Sequence, residues 1–161
     1  DFIDGSLGTE EAQRIVPEVV KKIQTFDGIV FATRDTHEEN YLETAEGKKT
    51  SGQTLYPWNK RLADQTGDRR SSDRRRPVDK VTFGSRELVK KLEQIQEETS
   101  IESITLIGLC TDICVISNAM LCKAFLPEVP VQVDASCCAG VTVESHMQAL
   151  EAMKMCQIDI L

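Results

Sequence analysis

The side chains best suited to chemistry lie in three short stretches: GLCTDICV (residues 108–115), RDTHEEN (34–40) and DKVTFGS (79–85). In the first, an apolar run ending at Leu109 reads as a strand, and Thr111 reads as the N-cap of a helix that follows at once. Cys114 then falls in the first helical turn, where free backbone N–H groups and the macrodipole favour a thiolate. A thiolate at a strand-to-helix turn suits nucleophilic attack on an amide carbonyl. On spacing alone, a core cysteine in a helix is the rival reading, and Cys110 shares the ambiguity.

In the second stretch Asp35 and His37 alternate, so both can face one metal ion. A carboxylate and an imidazole suit zinc, iron or manganese, although a lone D-x-H is commonly a turn with an exposed histidine. In the third, Lys80 leads a short β-rich run into a Gly-Ser turn. It is either a surface charge or, placed beside a thiol, a cation that lowers the thiol's pKa and orients the reacting groups.

The remaining cysteines weigh against a structural zinc site or a disulfide framework. No CxxC pair occurs among the six, and neither histidine is close to a cysteine in sequence. Buried, reduced thiols in apolar stretches account for five of them.

The elements that must carry these stretches alternate in type. Strand-like runs fall at residues 28–33, 103–109, 129–133 and 158–161. Amphipathic stretches separate them. Val16, Val19, Val20 and Ile23 share one helical face, with Pro17 expected in a first turn, and Leu88, Leu92 and Ile95 mark a helix opened by Ser85. Residues 112–125 and 143–155 supply two more helices. Such alternation predicts an α/β fold, a single domain with a parallel sheet and helices on both faces. Ligands in such folds bind beyond the carboxyl ends of the strands, which points to residues 34–37, 110–114 and 134–140.

Composition narrows the function classes. With 161 residues, 40% of them hydrophobic, one core is affordable, and a net charge of −7 argues against a nucleic-acid partner. No apolar run approaches the roughly 20 residues that span a bilayer, and no signal-peptide pattern opens the chain. The expectation is a soluble, cytoplasmic protein, a homo-oligomer with no membrane partner.

Taken in order, DFIDGSLGT (1–9), RDTH (34–37), DKVTFGS (79–85), GLCTDICV (108–115) and DASCCAGVTVESH (134–146) resemble the isochorismatase-like cysteine hydrolases, closest to the nicotinamidase-type amidases. The resemblance implies a Rossmann-like three-layer fold and hydrolysis of a small-molecule amide by an Asp–Lys–Cys triad, with Cys114 as nucleophile and Lys80 as the triad lysine. It implies a cis peptide at Leu109–Cys110 and an oxyanion hole formed by the N–H groups of Cys110 and Cys114. It further implies Asp35 and His37 as ligands of a divalent metal ion (Zn, Fe or Mn), no organic cofactor, and Phe2 in the substrate pocket. Isochorismatases proper lack the cysteine, so amide rather than vinyl-ether hydrolysis is implied.

The sequence departs from the family pattern twice. The triad aspartate and the first strand align ahead of Asp1, so the chain reads as N-terminally truncated. Residues 50–76 lack the family's loop motif with its further metal-ligand histidine, and instead show an Arg-rich stretch without period. Read one nucleotide later with suitable codons, SGQTLYPWNKRL (51–62) becomes Pro-Val-Arg-His-Cys-Ile-Arg-Gly-Thr-Ser-Gly-Trp, a version of the missing motif. A frame-shifted stretch over about 50–75 is therefore expected. A catalytically impaired remnant or binding protein of the same fold is the alternative function. If the loop is instead a true insertion, Tyr56 and Trp58 become pocket candidates.

Overall fold

A computed structural model describes Ile3, residues 8–49 and residues 77–161. Phe2 and the 50–76 segment, with Tyr56 and Trp58, lie outside the described residues. The elements are α1 (Glu10–Thr25), β1 (Thr33–Asp35), α2 (Ala45–Lys49), β2 (Val78–Lys80), α3 (Arg86–Glu98), β3 (Ile104–Leu109), α4 (Ile116–Phe125), β4 (Val131–Ala139), α5 (Val143–Met155) and β5 (Asp159–Ile160). A short 3-10 turn (Tyr41–Glu43) precedes α2, and a π-helical turn (Thr111–Val115) joins β3 to α4.

The strands are parallel throughout, β1 with β2 and β3–β4–β5 in that order, the expected α/β class. Helix α1 packs against β4 and β3, α4 and α5 pack against β4 and each other, and α3 lies on β2 and α4. Val131, Val133, Ile158, Ala119, Cys122 and Met153 form the centre of the core, each at most 1% exposed. Among the described residues, no helix is long and apolar enough to cross a membrane.

Local chemistry explains where the elements start. Ser85 Oγ accepts the Leu88 N–H at 3.1 Å, so α3 opens at the expected cap. Helix α5 spans the expected residues behind a capping box in which Thr142 and Ser145 bond each other's backbone. Helix α1 begins earlier than its apolar face suggests, because Thr9 caps it through the Ala12 N–H at 3.0 Å. Pro17 thus sits inside the helix rather than in its first turn. Two strands also differ from expectation. β1 covers Thr33–Asp35 instead of the apolar run before it, since that is where Val78–Lys80 pairs.

β4 runs on to Ala139 and bulges. Leu106 faces Val133, but two residues further along β3, Gly108 faces Cys138, so Asp134–Cys137 are looped out of register. Asp134 stays 8% exposed and anchors this bulge to α1 through Lys22, whose Nζ donates to Oδ2 at 2.8 Å. Its other oxygen accepts from the Ser136 N–H and hydroxyl at 3.1 and 2.6 Å.

Candidate active site

In the parallel register of β1 and β2, Asp35 is the partner of Lys80, so the two side chains leave the sheet together. Lys80 is 6% exposed. An unpaired buried ammonium is expensive, several kcal/mol even after relaxation. Here three acceptors meet its three protons. Nζ is ion-paired to the Asp35 carboxylate, donates to the Thr82 carbonyl at 3.1 Å, and lies 3.4 Å from Cys114 Sγ. Beside this group, Arg34 Nε donates to Asp79 Oδ1 at 2.7 Å and holds that carboxyl below the usual range.

Cys114 is half-buried in the π-helical turn that follows β3, a helix irregularity frequent at functional sites. The Leu109–Cys110 peptide is cis, and Gly108 before it has φ +115°, a conformation that side-chain-bearing residues rarely adopt. The Ile113 and Val115 N–H groups both turn onto the Cys110 carbonyl, at 3.1 and 3.0 Å. The Cys110 thiol is buried. Burial, with the neighbouring Asp112 and Cys114, pushes it to about 12, so it stays protonated at neutral pH. Of the other cysteines, Cys122, Cys137 and Cys138 are buried, whereas Cys156 is exposed at the end of α5, against the expectation of burial.

Thr111 does not act as the expected cap. Its hydroxyl pairs with His146 Nδ1 at 2.8 Å, and Cys110 occupies the cap position with no side-chain bond. Burial lowers the His146 pKa, opposed by the charge of Asp112, whose carboxylate accepts the Val141 N–H at 3.2 Å. A cavity of about 240 Å³ opens near this histidine, between Arg14 and Ile15 of α1 and Gly140 and Val143, away from Lys80 and Cys114.

The two metal-ligand candidates are differently placed. The Asp35 carboxylate is engaged by Lys80, and the His37 ring rests on Tyr41, with centroids 4.0 Å apart. His146, the other histidine of the sequence, is bonded to Thr111. Among the described residues no group of three His, Cys, Asp or Glu side chains could hold an ion. One site residue escapes the motif reading altogether. Asn118, a buried amide inside the apolar run ISNAM, bonds the backbone of Cys114, and its polarity in that run is the signal that marks it.

Parallel strands with a lysine–thiol contact at their carboxyl ends define an α/β domain whose site suits hydrolytic chemistry. The family model for the isochorismatase domain matches residues 1–161, and the chain belongs to that family. Among solved structures, it is similar to the pyrazinamidase of Pyrococcus horikoshii in complex with zinc, at 23% identity over 99% of this chain and 92% of that one, TM-score 0.75. It is also similar to the pyrazinamidase/nicotinamidase of Streptococcus mutans, at 26% identity over 99% and 92%, TM-score 0.72. The N-carbamoylsarcosine amidase of Thermoplasma acidophilum matches at 19% over 99% and 88%, TM-score 0.65. No curated protein matches.

Proposed function

We propose that this chain hydrolyses a small-molecule amide in the manner of a nicotinamidase, through a thioester on Cys114, with release of ammonia. The observation that carries the reading is the 3.4 Å contact between Lys80 Nζ and Cys114 Sγ, made by a buried ammonium whose other bonds go to Asp35 and Thr82. In the proposed reaction the thiolate attacks the amide carbonyl carbon, and the N–H groups of Cys110 and Cys114 receive the developing oxyanion. Collapse expels the amine, which takes a proton and leaves as ammonia. Water then adds to the thioester, releasing the carboxylic acid and restoring the thiol. The resemblance assigns the proton transfers to the triad aspartate of the family. This chain's own residues supply the nucleophile, the cation beside it and the oxyanion amides.

Asp35 and His37 remain the proposed ligands for a divalent ion, and the P. horikoshii relative was solved with zinc. The described donors do not close around an ion. A metal held by Asp35 and His37 would share Asp35 with Lys80 and fill its other positions with water, so binding should be weak. A second reading is a binding protein of the same fold without turnover.

Ammonia release from a panel of small amides, nicotinamide and pyrazinamide among them, separates the readings. Turnover that disappears in Cys114→Ala is expected. Saturable binding without ammonia supports the second reading, and undiminished turnover by Cys114→Ala removes the first.

A further inference from the structure

Asn118 lies one turn beyond Cys114 on α4 and is 4% exposed. Its amide makes three hydrogen bonds. Nδ2 donates to the Cys114 carbonyl at 2.7 Å and to the Phe83 carbonyl at 3.1 Å, and Oδ1 accepts the Ser85 N–H at 2.9 Å. Two of these partners belong to the loop that leaves β2 directly after Lys80, and the third is the backbone of Cys114 itself. One rigid plane therefore joins the turn that carries the thiol to the loop that follows Lys80.

That loop is fixed from both sides. Lys80 Nζ bonds back to the Thr82 carbonyl at 3.1 Å, and Ser85 caps α3. At Gly84 the loop approaches α4 so closely that a β-carbon would lie 2.6 Å from Leu121 Cδ1. Packing thus presses the loop onto the helix, but packing alone does not set the register between them. The directional bonds of Asn118 do, and a buried polar network that is fully satisfied specifies one arrangement.

We infer that Asn118 is a positioning residue that fixes the separation of Lys80 Nζ and Cys114 Sγ. The inference rests on the reading of Lys80 as the activator of Cys114. It assigns Asn118 no contact with substrate. In its effect on the thiol Asn118 acts through Lys80, so its removal should slow Cys114 only while Lys80 is present.

The test uses the full chain carrying Cys156→Ser, which removes the exposed thiol, and follows alkylation of Cys114 by iodoacetamide at about pH 7. Lys80→Met is expected to slow alkylation roughly tenfold, and Asn118→Ala to slow it several-fold. The double variant should be no slower than Lys80→Met alone. The volume-matched Asn118→Leu repeats the comparison should the alanine variant fail to fold. An Asn118 variant that folds and reacts at the parent rate overturns the inference, as does an effect of the same size in the Lys80→Met background. If Lys80→Met itself reacts at the parent rate, the reading of Lys80 fails instead, and the two failures are distinct.

Discussion

Lys80 Nζ lies 3.4 Å from Cys114 Sγ although the two residues come from different elements, the end of β2 and the turn after β3. The contact is held by burial and by the two other acceptors of the ammonium. Replacement of Lys80 by Met removes the cation but keeps the length of the side chain. Amide turnover should fall at least about a hundredfold, the usual scale for losing a group that stabilises a charged reacting state. Steady-state kinetics of Lys80→Met check this, and turnover within a factor of two of the parent would contradict it.

Thiol labelling should separate the cysteines by burial. Desolvation pushes Cys122 to about 11 and Cys138 to about 12, and Cys110 also stands at about 12. At pH 8 these three remain protonated and enclosed. Peptide mapping after iodoacetamide should find modification at Cys114 and Cys156, and at the buried thiols only once the chain is unfolded. Labelling of Cys110 in the folded protein would contradict the assignment.

Much of this arrangement is legible in the sequence, and the illegible parts share a cause. Ser85 and α5 could be read because capping side chains and helical period are local signals. The strand before Cys110 could be read because a β-rich run ends in a polar cluster. What could not be read depends on partners distant in sequence. Thr111 looks like a cap until His146 arrives to take its hydroxyl. The pairing of Asp35 with Lys80 appears only when the β1–β2 register is known. The bulge of β4 appears only when its register with β3 is known, and Asn118 shows its use only when the loop after β2 meets α4.

The Asp134–Lys22 pair predicts a pH dependence of stability. Burial pushes the Asp134 carboxyl up, but the hydrogen bonds from Lys22 and Ser136 and the Lys22 charge outweigh it, so the pKa in the folded state falls below its ordinary value. A depressed carboxylate pKa contributes stability that is present above the unfolded value of about 4 and is lost as pH falls through the folded value. Lys22 is 36% exposed, so solvent screening trims the pair to about 1 kcal/mol at pH 7. Asp134→Asn should melt a few degrees below the parent at pH 7, and the gap should close in acid. A gap that widens below pH 4 would contradict the sign.

Asp35→Asn and His37→Ala should behave differently. Loss of Asp35 leaves the buried Lys80 ammonium without its carboxylate. Asp35 is 28% exposed, so the cost should be about 1–3 kcal/mol, toward the low side of broken buried pairs. Among the described residues His37 makes a ring contact with Tyr41, so His37→Ala should be near neutral in thermal melts. Zinc titration by calorimetry should show weak binding in the parent. Tight stoichiometric zinc, lost in both variants, would show instead that Asp35 serves the ion before it serves Lys80.

The central claim is that Cys114 forms the covalent intermediate. The direct measurement is mass spectrometry of the chain after incubation with an electrophilic nitrile analogue of a small amide, followed by peptide mapping. One adduct per chain is expected, on the peptide that contains GLCTDICV and at Cys114 within it. An adduct at any other residue, with Cys114 left free, would contradict the account.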